Sequence, residues 1–497
     1  MAINEYFNYG QYNSETTNIN LEKLKSSDLN IDISYDNFNK LDKIQKKKLF
    51  PFLNKKNNDY EKIYVNLVID LNANKDDYMP NYEDLIYYQR KAEELFKNKT
   101  ILEKYYPDPF NFSRYSNIDN LNNIESTISI NTKNKYDNSY IKSHNKIERL
   151  GIYILPKHAS PGFKNFRRIL NFIKDKFDIY LFLDNKKEDL DDDDMEFIKD
   201  INNIFYLSNL TDNAVADLMY EKKLTMLISI YGFYMRKNVM LMKPAPIIIS
   251  YQEPPVIYPE SCYDYNLIDR YLYDSLKKYA NIDETKFKFI NLDIFILPVP
   301  FYSKFNNLIR PFYNKKKIKI GLIVYSPKIS HELVKLVNRI IKIKNVYITI
   351  YGFNNIRWLK NLFPSEKIII SSYENTNPVK LQDNILFIDS VNYNNHSTAL
   401  EILKLKIPFI GYKNIKRYHG LFSESLIKII GMENYLLADN IDDYVKKVKL
   451  CICNEEVYYK LYDRFVNKLD KSKILSDEFY SEKLSETINN FYSNYKK

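Results

Sequence analysis

The stretch IKIGLIVYSPKISHELVKLVNRIIKIKNVYITIY, residues 318–351, decides the fold. It opens on an almost unbroken apolar run from Ile318 to Tyr325 and turns at Ser326 and Pro327. Apolar residues at helical spacing follow over 330–343, and a second apolar run begins at Val346 and ends at Tyr351. Short apolar runs without polar alternation fit strands covered on both faces, and a helix between two of them is the parallel βαβ unit.

The same rhythm continues on both sides. Downstream, strand-like runs at Ile368 to Ser371, Ile385 to Ile388 and Ile407 to Gly411 alternate with helical segments at 354–363 and 397–406. Upstream, an earlier set falls at Leu150 to Leu155, Ile179 to Leu183, Ile204 to Leu207, Met226 to Ile230 and Ile247 to Ser250. Phe163, Phe166, Ile169, Leu170 and Ile173 make a helical face between the first two. The pattern predicts two Rossmann-like α/β domains, 146–300 and 301–497, meeting near Pro298-Val299-Pro300 and closed by helices after Asn440. Ligands of such sheets bind outside the carboxyl ends of the strands, so the two domains are expected to face a cleft.

Residues 1–145 differ. They are polar and rich in Asn, with a strand-like run from Ile63 to Leu71 and a helical pattern over 82–97 carried by Leu85, Tyr88, Ala92 and Leu95. From Tyr106 to Asn145 the chain reads as a long loop, and no repeat period of the tetratricopeptide kind is visible. This part is expected to be a mostly helical or irregular N-terminal extension and linker.

Composition sets outer limits. The 45 Tyr and 29 Phe against 9 Gly in 497 residues suggest the coding bias of an AT-rich genome. A net charge of +10 is spread along the chain with Lys dominating Arg, which does not advertise nucleic-acid recognition. The runs Lys46 to Lys48 and Asp191 to Asp194 are expected on exposed loops or helix ends. The three cysteines, Cys262, Cys451 and Cys453, cannot form a disulfide framework and suit a reducing compartment. No apolar stretch approaches the roughly 18 residues needed to span a bilayer, and the N-terminus has no signal-peptide core. A soluble cytoplasmic protein is expected. No transmembrane segment, nucleic-acid partner or metal site is expected either; no Asp-x-Asp follows a strand, and Cys451-Ile-Cys453 has no ligand partners nearby.

The segment NNHSTALEILKLKIPFIGY, residues 394–412, places His396, Ser397 and Thr398 at the start of a helix. Unpaired amides and a positive dipole there suit a diphosphate, with Glu401 one turn in to accept from ribose hydroxyls. Thr398 and Glu401 equally fit a capping box. On these residues alone the two readings stand level.

The wider pattern resembles the catalytic region of O-GlcNAc transferases. LMKPAPIIISYQEPP (241–255) followed by YDYNLID (263–269) is similar to that family's Arg-Pro-Ala-Pro-Ile block and later strand, with Lys243 in place of the Arg. YGFYMRKN (231–238) looks like its Gly-Tyr-rich loop, and HSTALE like its His-Thr-Thr-Gly-x-Asp donor motif, with Ala399 for Gly and Glu401 for Asp. IVYSPKIS (323–330) matches the segment carrying a diphosphate-contacting Lys, here Lys328, and Tyr325 replaces a Gln. RLGIYILPKHASPGF (149–163) resembles the first-strand block that ends in a His loop and puts His158 at the cleft mouth.

The resemblance implies a GT-B fold and an inverting, metal-independent glycosyltransferase. It would move a sugar, by default N-acetylglucosamine, from a UDP-sugar co-substrate to a protein, glycan or lipid acceptor, with no other cofactor. It implies donor-binding roles for Lys328, His396, Ser397, Thr398, Glu401, Ser371 and Tyr373. Tyr234 and Arg236 would lie on the acceptor side, and His158, Lys328 and Asp217 would be catalytic. Each has a plainer alternative: Lys328 as a surface lysine, His158 as a loop histidine, Asp217 as a helix-face carboxylate. The substitutions at Tyr325 and Ala399 motivate a second function, a catalytically silent binding or scaffolding protein. Oligomeric state is left open.

Overall fold

In the computed structural model the described residues are 34–41, 45–46, 49–50, 53, 55–56, 58–73, 82–95, 118, 121, 135–140, 147–154, 170, 173–230, 236–251, 256–297, 310–352, 359–372 and 378–495. Two wholly parallel sheets organise them. The first joins β1 (Arg149–Ile154), β2 (Asp178–Leu183), β3 (Asn203–Tyr206), β4 (Met226–Ser229), β5 (Ile248–Tyr251), β6 (Tyr265–Asp269) and β7 (Phe289–Leu292) in the order β3-β2-β1-β4-β5-β6-β7. The second joins β8 (Ile318–Val324), β9 (Val346–Gly352), β10 (Ile368–Ser372), β11 (Leu386–Ile388), β12 (Phe409–Tyr412) and β13 (Leu437–Ala438) in the order β10-β9-β8-β11-β12-β13. All ten strand-like runs between 150 and 411 are strands. β7 and β13 were not legible: FINL alternates little, and two residues carry no period.

Each sheet starts in its middle, runs to one edge, and returns to build the other half. The reversal falls between β1 and β4 in the first sheet and between β8 and β11 in the second. At such a switch point the loops leaving the two strands diverge to opposite faces and open a crevice at their carboxyl ends. At the second reversal the sheet is packed tightly: a Cβ on Gly321 of β8 would collide with the Phe387 ring of β11.

Helices cover both faces. Those used below are α1 (Tyr60–Ala73), α2 (Tyr82–Leu95), α3 (Asp212–Glu221), α4 (Lys237–Leu241), α5 (Arg270–Tyr279), α6 (His331–Ile340), α7 (Ser397–Lys404), α8 (Phe422–Ile430) and α9 (Asp477–Tyr495). The acidic run 191–194 does lie at a helix start, that of Asp192–Ile198. Ile63 to Leu71 is corrected from strand to helix, since it lies within α1. Its β-branched residues mimic a strand locally. The turn-spaced Tyr60, Tyr64, Ile63 and Leu67 instead pack on α2 and on Phe50, whose ring stacks on Tyr60 and Tyr64 at 5.8 and 5.7 Å.

Buried side-chain bonds join the two lobes. Asp269 closes β6 and caps α5, accepting from the Leu272 amide at 2.9 Å; its carboxylate also takes the Ser425 hydroxyl of α8. Ser275 donates to Glu424 at 3.0 Å. The last helix, α9, crosses back to the first lobe, where the Tyr480 hydroxyl donates to the Ile296 carbonyl at 2.6 Å and meets Tyr251 at 2.7 Å. No helix among the described residues is long and apolar enough to cross a membrane.

Two outcomes are expected. Gly321→Ala should lower stability to urea by about 1–3 kcal/mol, since the sheet must spread to admit one methyl. Burial pushes the Asp269 carboxyl up to about 6, against the pull of the Ser425 hydroxyl and the Leu272 amide. The native state therefore holds that proton more tightly than the unfolded chain. This contribution is full below the ordinary carboxyl range and is lost as pH rises through 6. Asp269→Asn should accordingly flatten the decline of the urea midpoint between pH 4 and 7, a difference of about 3 kcal/mol.

Candidate functional site

The crevice of the second sheet is built by the loops leaving β8 and β11. After β8 a single 3-10 turn, Ser326–Lys328, swings the chain inward, with the Lys328 amide bonded to the Tyr325 carbonyl at 2.9 Å. Lys328 is only 2% exposed. Its ammonium donates to the Asn394 carbonyl at 3.2 Å and to the Asn395 side-chain oxygen, and lies 5.1 Å from the rings of both Tyr325 and Tyr393. A lysine with three donors held this way is not a solvated surface group, so the plainer reading of Lys328 falls. Burial pushes its pKa down, partly offset by the carboxylates of Asp389 and Glu401.

Asp389 follows β11 directly and organises the loop across the crevice. Buried completely, it accepts from the amides of Ser390 at 2.7 Å and Asn395 at 2.8 Å and from the hydroxyls of Ser390 and Ser423. Burial raises its pKa, while Lys328 and the Ser423 hydroxyl lower it. Asn395 then reaches across, its amide nitrogen donating to the Ile323 carbonyl of β8 at 3.2 Å. Asn394 is fixed by the Ser390 carbonyl at 3.0 Å and the Ser423 amide at 3.2 Å. The loop has no glycine; side chains pin it instead.

This loop delivers His396 to the start of α7. His396 is itself the N-cap: its Nδ1 accepts from the Ser397 amide at 2.7 Å. Thr398 is therefore the second helical residue, and the capping box between Thr398 and Glu401 is not formed. Burial, Lys328 and His419 all drive the His396 pKa well below its usual value, so the ring is neutral. With Nδ1 accepting, the proton sits on Nε2, a buried donor with no partner among the described residues. The first intrahelical bond, Leu400 amide to His396 carbonyl at 3.2 Å, leaves the Thr398 and Ala399 amides ahead of the ladder. Ser397 and Glu401 are buried and Thr398 half-buried. Glu401 is close enough to Lys328 to stabilise its charge. Lys328, His396, Ser397, Thr398 and Glu401 are thus brought together at the switch point.

Other expected residues fall elsewhere. Ser371 lies at the carboxyl end of β10, half-buried. His158, Tyr234 and Tyr373 lie outside the described residues. Arg236 caps the crevice end of the first sheet. It forks onto Asp184 at 2.8 and 2.9 Å and binds Asp212 at 3.0 Å, with the Leu207 and Leu210 carbonyls at 3.0 and 2.9 Å. Those bonds make it a clamp joining the loops after β2 and β3 to the start of α3. Asp217 is not brought to the crevice. It is exposed on α3, bonded to Lys135 at 2.8 Å and Tyr136 at 2.6 Å, and those bonds lower its pKa and leave a weak base. Lys243 sits at the opposite end of the sheet, paired with Asp264 at 2.9 Å.

Asp389, Asn395, Tyr393 and Ser423 were missed. A lone Asp directly after the apolar run Leu386-Phe387-Ile388 was the available signal, since a carboxylate at a buried strand end needs several donors.

Among the described residues no group of three or more His, Cys, Asp or Glu is arranged to hold a metal ion. No family model and no curated protein sequence matches the chain. Solved structures do. A mutant of the Thermobaculum terrenum O-GlcNAc transferase aligns with a TM-score of 0.63 at 13% identity, over 93% of this chain and 81% of that one. An apo lipopolysaccharide outer core galactosyltransferase aligns with a TM-score of 0.44 at 12% identity, and a Rickettsia africae glycosyltransferase with 0.42 at 11%. Each of these two covers 69% of this chain and 99% of its own. Two parallel sheets of seven and six strands, each with its reversal at a crevice, make this a GT-B fold.

Asp389→Ala should strand the Ser390 and Asn395 amides in a dry interior and cost about 3 kcal/mol or more, read as a fall in the urea midpoint.

Proposed function

We propose that the chain is a glycosyltransferase that uses a nucleotide-activated sugar. The carrying observation is the convergence at one switch point of a buried ammonium, Lys328, a helix N-terminus and an orphaned imidazole donor, His396 Nε2. Cations and aligned amides fixed in a low-dielectric crevice suit a diphosphate whose charge grows as it leaves.

In this reading the acceptor hydroxyl or amide attacks the anomeric carbon and the bond from that carbon to the diphosphate oxygen breaks. The sugar inverts, the nucleoside diphosphate carries off the electron pair, and the acceptor gives up a proton. Lys328, His396 and the Thr398 and Ala399 amides take the diphosphate. With those groups supplying the positive charge, no metal ion is needed. Glu401 accepts from the ribose, and Ser371 and Tyr373 border the base. On the other lobe His158 takes the acceptor proton and Tyr234 serves the acceptor side, while Arg236 holds the loops after β2 and β3 to the start of α3. The donor is taken as UDP-N-acetylglucosamine, in line with the name of the Thermobaculum protein; the acceptor is a protein, glycan or lipid. The alternative, a catalytically silent binding or scaffolding protein motivated by the substitutions at Tyr325 and Ala399, would keep the fold and transfer nothing.

Calorimetry with UDP tests the reading, and absence of binding at millimolar UDP overturns it. Lys328→Ala should weaken UDP at least tenfold, the loss of about one charge-assisted hydrogen bond. Because burial lowers the Lys328 pKa, its charge fades at lower pH than an ordinary lysine's. Wild-type UDP affinity should therefore fall between pH 7 and 9, and that of Lys328→Ala should not.

A further inference from the structure

The N-terminal extension has no role in the chemistry described so far, yet α2 is wired into both sides of the crevice. Gln89, 7% exposed, uses both ends of its amide: its oxygen accepts from the His331 amide at 3.1 Å, and its nitrogen donates to Glu332 at 3.1 Å and to Glu93 at 3.3 Å. His331 and Glu332 open α6, three and four residues beyond Lys328. Glu332 in turn accepts from Asn392 at 3.0 Å, and Asn392 accepts from Asn414 at 3.0 Å. Asn392 lies inside the loop that Asp389 organises. The circuit closes through Arg417, whose amide bonds to the Asn414 carbonyl at 3.2 Å and whose buried guanidinium pairs with Glu93 at 2.7 Å.

Burial works to raise the Glu332 pKa, but His331 and the Gln89 amide more than offset it, so the carboxylate is charged and must be bonded where it stands. α1 adds contact with the 326–328 turn itself. Among the described residues, the segment after β8 and the loop after β12 are thus bonded directly to a helix that precedes both sheets in sequence, and the loop after β11 is bonded to it through Glu332. Helix faces position loops that would otherwise be free to shift.

We propose that Gln89 and Glu93 are positioning residues of the crevice: α2 fixes the separation between the Lys328 turn and the 390–396 loop, and so sets affinity for a nucleoside diphosphate. The ligand half of this rests on the function proposed above; the loop half does not. A residue that only held the extension in place would alter melting and leave the crevice loop unchanged.

The test is amide hydrogen exchange on the full chain, with Gln89→Leu and Glu93→Ala beside Glu93→Gln, which keeps an oxygen for Arg417 and Gln89. Exchange over residues 390–396 is expected to speed at least tenfold in Gln89→Leu and Glu93→Ala. It should stay within threefold of wild type in Glu93→Gln, with β1 and β4 unchanged in all three. The dissociation constant for UDP should rise about tenfold in the first two. Unchanged exchange over 390–396 overturns the proposal, and so does equal acceleration across the whole chain, which would mark general unfolding. Faster local exchange in a protein whose wild type binds no UDP would sink the transferase reading and leave the positioning role standing.

Discussion

The placement of one ammonium group organises the second lobe. Burying Lys328 costs several kcal/mol unless the charge is met on all sides, and the chain meets it with a carbonyl, an asparagine oxygen, two aromatic rings and two nearby carboxylates. Each partner must then be held. Asn394 and Asn395 are fixed by Asp389 and Ser423, and Asp389 by the end of β11. Placing Tyr325 and Lys328 in turn requires the tight turn after β8. The order of strands puts those two loops side by side, so the charge and the sheet topology constrain one another.

The fold was largely legible because parallel strands covered on both faces write themselves as apolar runs. Ten of them could be read from residues 150–411, and the two lobes followed. What was not legible had short-range reasons. β13 is two residues long, and α1 carries β-branched residues whose helical state is decided by packing on α2. Within the site, Lys328 and the His396 to Glu401 stretch were found through resemblance and helix-start chemistry. The capping and donor readings of that stretch stood level on sequence, because a histidine performs the capping role usually given to Ser, Thr, Asp or Asn. Asn395, Ser423 and Glu93 could not be ranked, since one asparagine, serine or glutamate in a polar chain looks like any other until a fold brings it to a buried charge. Arg236 and Asp217 show the reverse case: a charged residue near a motif drew a functional assignment, and the fold gives each of them ion-pair partners that the sequence did not indicate.

The N-terminal region changes meaning in the same way. By composition it is a polar extension, yet Gln89 and Arg417 are as buried as core residues and their bonds span more than two hundred positions of sequence. A polar network of that kind is costly if left half-satisfied, which ties the order of the crevice to that of the extension.

The return of α9 to the first lobe has a mechanical meaning. Tyr480 is anchored at Tyr251 and Ile296, while Ser425 and Glu424 grip the end of β6 and α5, so segments late in the chain are bonded into the first lobe. These bonds run between buried residues, and a buried polar group left without its partner is costly, so pulling the late helices away from the first lobe would strand several such groups together.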